Sequence, residues 1–164
     1  MPYFLGINNM TTKLRSGEVI LYQGQLHFLR IMEQAVSHYE ARGITLIFST
    51  IPAMSIRQYN FYGKDHGRVN GQLQYANHYA TMQVALERRL NHVNTSIIKL
   101  NADRDLLTPL LHRYILHNYR NGKKKHHFHL LYDGLHPTHH LIAKWETHLL
   151  HVAMKNLSNH PTPH

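Results

Sequence analysis

Cysteine is absent from the 164 residues, which removes disulfides, thiolate metal sites and a cysteine nucleophile from consideration. Acidic residues are scarce as well. Nine Asp and Glu stand against 18 Lys and Arg, a formal net charge of +9 with the 17 histidines counted neutral. Polyanions are attracted to such a chain, the more so below about pH 6.5, where imidazoles take up protons. No run of about 18 apolar residues is present to span a bilayer. The opening MPYFLGINNM lacks the basic start and cleavage site of a signal peptide. A cytoplasmic product without membrane association is therefore expected. RNP, zinc-finger and basic-zipper patterns are also missing, as is a His-Glu-x-x-His zinc pattern.

What is present is enough apolar residue, 43%, to build one hydrophobic core at this length. The expected organisation is a single domain over 1–157 followed by a disordered tail, 158–164. Pro2 to Leu5 reads as a buried strand ending in the turn Gly6-Ile7-Asn8-Asn9. Leu26, Leu29, Met32, Val36 and Tyr39 repeat at helical spacing inside Val19 to Arg42, with Gly43 as the stop. Ile44 to Phe48 is apolar on both faces, as a central parallel strand is, and runs into Ser49-Thr50-Ile51-Pro52. Ser55 to Gln74 has no sustained period and reads as a long surface loop. A second helix follows on Tyr75, Tyr79, Met82, Leu86 and Leu90, then a third strand-like run from Ser96 to Leu100. Asp103 to Tyr119 reads as partly helical, and Arg120 to His127 as an exposed polar insert. Leu141, Trp145, Leu149 and Val152 mark a final helix. Alternation of strand and helix predicts an α/β fold with a small parallel sheet and right-handed crossovers.

The chemistry-bearing stretch is Leu131-Tyr132-Asp133-Gly134-Leu135-His136-Pro137-Thr138. An acid three residues before a histidine, with Gly between, lets the carboxylate turn back onto the imidazole within one loop, the arrangement that orients a general base. The strand ends Gly6-Ile7-Asn8-Asn9 and Ser49-Thr50-Ile51-Pro52, followed by Asp133-Gly134-Leu135-His136-Pro137 before a terminal helix, resemble in order and spacing the later portion of the SGNH (GDSL-like) hydrolase family. The resemblance implies a flavodoxin-like three-layer α/β sandwich, N-terminally incomplete. It also implies His136 as base, Asp133 as its orienting acid, and Asn8 as an oxyanion donor on the turn that Gly6 makes possible. The family's Gly-Asp-Ser nucleophile block and its second-block Gly have no counterpart here, and Asn9 replaces the usual Asp. The expectation is an acyl or acetyl ester hydrolase domain, inactive as this chain alone and completed by an upstream segment of the same polypeptide. It would act on a small ester substrate and need no cofactor. With the neighbouring strands missing, Pro2 to Leu5 would form an open edge prone to self-association.

Two further clusters compete for a role. His126, His127, His129, His136, His139, His140, His148 and His151 are an imidazole-rich set open to zinc, copper or nickel, or to no metal at all. Histidine bias in the composition produces the same set, and a metal site is not expected. Lys123 to Lys125 beside His126 and His127 either track phosphates or are a solvated loop. The alternative to an esterase is therefore a non-enzymatic protein that binds nucleic acid or another polyanion.

Overall fold

The computed structural model describes residues 7–24 and 27–160. After a 3-10 turn at Ile7–Asn9, β1 (Thr11–Lys13) and β2 (Val19–Leu21) form an antiparallel hairpin, Thr12 facing Ile20. Helices α1 (Phe28–Glu40), α2 (Ile56–Asp65) and α3 (Tyr79–Ala102) follow. A 3-10 turn at Leu111–Ile115 leads into a second antiparallel hairpin, β3 (Leu116–Asn118) with β4 (Lys124–His126), and α4 (His139–Asn159) closes the chain. The described residues are thus mixed α/β, with four helices and two small two-stranded sheets among them.

Several expectations change. Ser96 to Leu100 is not a strand: it continues α3, because Leu86, Leu90, Val93 and Ile97 keep one buried helical stripe that outweighs the β-branched pair Ile97-Ile98. Val19 belongs to a hairpin, and the first helix starts only at Phe28. The stretch after Ser55 is helix α2 rather than loop, and α4 runs through Ser158 and Asn159, two residues into the expected tail. The ladders among the described residues are antiparallel, so no parallel sheet is formed by them. Ile44 to Phe48, expected as the central strand, takes no regular secondary structure and joins neither ladder, its backbone being met by the side chains of Asn101 and Arg104 instead; the strand expected beside it, Pro2 to Leu5, lies outside the described residues, as does Gly6.

One core of Met10, Leu21, Met32, Met54, Ile56, Tyr79, Leu86, Leu90, Ile97, Leu111, Ile115, Leu131, Leu141 and Trp145 joins the four helices to the first hairpin and to the 3-10 turn that leads into the second. Extended segments crossing that core need partners for their backbone N–H and C=O groups, and helix-borne carboxamides supply them. Asn94 accepts from Ile51 N–H at 2.7 Å and donates to Ile51 C=O at 2.9 Å. Asn101 grips Phe48 in the same way, at 3.4 and 2.8 Å. Asn60 holds Val19 with both bonds at 2.7 Å, and Asn156 holds Leu107 at 2.8 and 3.1 Å. Gln83 bridges Ile56 N–H and Met54 C=O at 3.0 and 2.7 Å. A carboxamide sets an acceptor oxygen beside a donor NH2 in one plane, so each can meet a backbone C=O and N–H as a neighbouring strand would. All four asparagines are buried.

Glu18 performs the same service with a carboxylate. Fully buried, it accepts from Gln74 N–H at 2.9 Å, Tyr75 N–H at 3.1 Å and the Tyr79 hydroxyl, tying the first hairpin to the start of α3. Burial first, and then the hydrogen bond to Glu18, push the Tyr79 phenol above its ordinary pKa.

Candidate active-site loop

The Asp133–His136 loop is assembled from both sides. Leu131 is buried in the core and bridges Pro137, Tyr132 N–H donates to His136 C=O at 2.9 Å, and Thr138 N–H donates to Leu130 C=O at 3.0 Å. Thr138 then caps α4, its hydroxyl accepting from Leu141 N–H at 3.4 Å. At its tip the loop docks on the start of α2. Ser55 N–H donates to Gly134 C=O at 2.9 Å, and the Gln58 amide donates to Leu131 C=O at 2.8 Å. Gly134 has φ +89°, and a Cβ there would sit 2.7 Å from Tyr59 N and 2.9 Å from Ser55 O. Both the left-handed backbone and the close approach require glycine.

Within the loop the Asp133 carboxylate turns back on His136. One oxygen accepts from the backbone N–H groups of Leu135 at 2.9 Å and His136 at 2.6 Å; the other meets His136 Nδ1 at 2.6 Å. The Asp133 side chain is 8% exposed and that of His136 is 55% exposed. Burial works to raise the Asp133 pKa, but the hydrogen bonds from the His136 backbone and ring and from Leu135 outweigh it and hold the carboxyl below its usual value. An ionised carboxylate only accepts, so Nδ1 carries a proton, and in the neutral ring it is Nε2 that holds the lone pair. The ring lies roughly parallel to Tyr132, with centroids 5.8 Å apart. Among the described residues no hydrogen bond reaches Nε2.

Of the residues singled out from the sequence, the structure brings Asp133 and His136 together. Asn8 lies in the Ile7–Asn9 turn, and no hydrogen bond among the described residues joins that turn to the Asp133–His136 loop. No described serine hydroxyl contacts His136. Ser55 Oγ caps α2 by accepting from Gln58 N–H at 3.1 Å, Ser16 Oγ accepts from Glu18 N–H, and Ser96 Oγ donates to His92 C=O. Two open grooves of about 430 Å³ each lie along α3, one against α1 and lined by Phe28, Met32 and Arg88, the other lined by Ser55, Arg57 and Tyr79; His136 lines neither.

The histidine-rich set does not converge on a metal. Among the described residues no group of three or more His, Asp or Glu side chains could hold one. His148 Nε2 accepts from Leu110 N–H at 3.0 Å, and His126 Nδ1 meets the Glu87 carboxylate. His112, which the sequence did not single out, sits 2.7 Å from the Thr50 hydroxyl, at the end of the extended segment. Burial first, then the charges of Arg113, Lys124 and His126, push its pKa down to about 4. Among the described residues no helix is long and apolar enough to cross a membrane. Set against protein-family models, curated proteins and solved structures, the chain matches none of them.

Proposed function

We propose that this chain is the later portion of an SGNH-type ester hydrolase domain, in which Asp133 and His136 form the acid–base half of a catalytic triad. The single observation that carries this reading is the loop geometry: a buried, ionised carboxylate held by two backbone N–H groups, bonded to Nδ1 of a half-exposed imidazole whose Nε2 is left open. Fixing the tautomer in this way is what the acid of a Ser-His-Asp triad does. A helix cap alone needs no such pairing, since Thr138 already caps α4.

In this reading a serine from an upstream segment of the same polypeptide attacks the carbonyl of a small acyl or acetyl ester. His136 Nε2 takes the serine proton as the tetrahedral oxyanion forms, then delivers it to the departing alcohol, leaving an acyl-serine. Water, deprotonated by the same nitrogen, releases the acid and restores the serine. Asn8 serves as one oxyanion donor beside backbone N–H groups that the upstream blocks contribute. No cofactor takes part.

The purified chain alone tests the division of labour. With p-nitrophenyl acetate its hydrolysis should rise linearly with ester concentration, and His136→Ala should lower that background no more than His151→Ala, a change at an exposed histidine of α4. Saturable, His136-dependent turnover would put the nucleophile inside this chain and overturn the assignment of it to an upstream segment.

A further inference from the structure

From Leu106 to Tyr132 the sequence contains no Asp or Glu, while Arg113, Arg120, Lys123, Lys124 and Lys125 fall within the same stretch. The β3–β4 hairpin gathers most of these cations. Tyr119 N–H donates to Lys123 C=O at 2.8 Å, Gly122 turns the chain at φ +79°, and His117 pairs with Lys125. Because side chains alternate along a strand, this register puts His117, Tyr119, Lys123, Lys125 and His127 on one face. Leu116, Asn118, Lys124 and His126 fall on the other.

The two faces have different surroundings. The second turns toward α3: His126 contacts Glu87 and stacks on Phe128 with centroids 5.0 Å apart. The first faces outward, with His117, Tyr119, Lys123 and Lys125 all exposed. On it the rings form a continuous ladder. His117 meets Tyr119 edge to face at 4.9 Å and 74°, stacks on His127 at 4.9 Å and 18°, and His127 lies tilted at 43° to His129, 5.1 Å away. Desolvation and then the neighbouring His117, His129 and Lys125 lower the His127 pKa, so at neutral pH that ring is a flat, uncharged stacking surface rather than a cation. Tyr119 and His129 are the ends of this row of rings, and Lys123 and Lys125 are exposed on the same face of the ribbon.

Rings interleaved with cations on an acid-free ribbon suit a ligand that has both π-faces and a regularly charged backbone. A polyanion without bases would use the lysines and leave the ladder idle; a duplex would keep its bases stacked inside. We propose that the outward face of the β3–β4 ribbon binds single-stranded nucleic acid, with unstacked bases laid on the Tyr119–His117–His127–His129 ladder and phosphates met by Lys123 and Lys125. A ribbon of this length engages only a few nucleotides, fewer than a full oligonucleotide-binding barrel.

The test is fluorescence anisotropy with a labelled 12-nucleotide single strand, as RNA and as DNA of the same sequence, alongside the matched duplex and with heparin as competitor, over a salt series. The single strands should bind more tightly than the duplex, by at least about fivefold at matched salt. Lys123→Ala with Lys125→Ala should weaken binding and reduce the salt slope by about 1.4, two released phosphate contacts on a single strand. Tyr119→Ala should weaken binding about tenfold with the slope unchanged, as the loss of a stacking platform does, and Tyr119→Phe should restore it. Lys124→Ala removes the same charge from the opposite face and should cost less than twofold. Circular dichroism of each variant checks that the hairpin persists. Equal binding of single strand and duplex, indifference to Tyr119→Ala, or a Lys124→Ala loss equal to that of Lys125→Ala would each overturn the proposal in favour of unspecific charge attraction. RNA and DNA bound alike would place recognition in bases and phosphates; a preference for RNA would add the ribose hydroxyl, and both fit the proposed face.

Discussion

Replacing Asp133 by Asn separates the structural work of that side chain from its electronic work. The variant keeps an amide oxygen where the Asp133 carboxylate accepts the Leu135 and His136 backbone N–H groups at 2.9 and 2.6 Å, so the loop retains its shape. What changes is the contact at 2.6 Å with His136 Nδ1. The Asn amide presents N–H there, and Nδ1 must give up its proton and accept, which moves the imidazole proton to Nε2. A charge-assisted hydrogen bond of about 1.5 to 3 kcal/mol sets the original preference, enough to hold the neutral ring more than about tenfold in the Nδ1–H form. Imidazole ¹⁵N shifts at pH 8 read the tautomer directly: Nδ1–H in the parent, Nε2–H in Asp133→Asn. Urea melts should show a loss of only about 1 to 2 kcal/mol, because two of the three bonds keep their direction and the third is reversed and loses its charge assistance. The sign of the pH dependence follows from the lowered Asp133 pKa. The carboxylate's contribution is present above its unfolded value near 4 and is lost as pH falls through the lower folded value, so the stability gap between parent and variant closes in acid. An Nε2–H tautomer in the parent, or the same spectrum in both proteins, would refute the assignment of Asp133 as the orienting acid.

The other outcomes rest on the scaffold. Asn101→Ala strips Phe48 of both backbone partners and Thr108 of a donor, so urea melts should record a loss of about 2 to 4 kcal/mol; a loss below about 1 kcal/mol would show that water replaces the amide. His112 has a folded pKa of about 4 against about 6.5 unfolded. The unfolded chain binds that proton more tightly, so stability falls as pH drops from about 6.5 to about 4 and this contribution changes no further below that. Since the ring is only half-buried, the loss is about 1 kcal/mol after screening, and the slope should flatten in His112→Gln. Gly134→Ala forces a Cβ against Tyr59 N and Ser55 O at a positive φ and should detach the loop from α2, seen as lost protection of the Ser55 amide in hydrogen exchange.

Spacing made some of this architecture legible and burial hid the rest. The acid, the glycine and the histidine of the loop stand within four residues, so local geometry alone brings the carboxylate to the ring. The final helix declared itself through the apolar repeat of Leu141, Trp145, Leu149 and Val152; the cap at Thr138 came from the structure. Helix α2 did not, because its buried positions are Ile56, Asn60 and Gly63, and a polar residue and a glycine leave no hydrophobic stripe to count. Ser55 followed three residues later by Gln58 is a helix-start pattern that would have revealed it. The first hairpin was masked by treating Val19 as the approach to a helix; Ser16-Gly17 between two short β-rich runs was its signal, and Gly17 indeed takes φ +92°. The carboxamide clamps carried a signal too. Asn94 and Asn101 fall on the same stripe of α3 as Leu90, Val93 and Ile97, and an amide on an apolar face has to find partners inside. Which backbone each would hold depends on long-range packing that no local pattern encodes.

If His136 and Asp133 are half of an esterase site, as proposed above, restoring the other half should switch on turnover. The chain is extended by the coding sequence preceding Met1 and assayed against short-chain p-nitrophenyl esters, with the unextended chain as reference. The extension should contain a Gly-Asp-Ser segment and give saturable turnover that disappears in His136→Ala and falls on the order of 10⁴-fold in Asp133→Asn, the cost of the wrong tautomer in a triad. An extension without such a serine, or a rate indifferent to His136, would contradict that proposal.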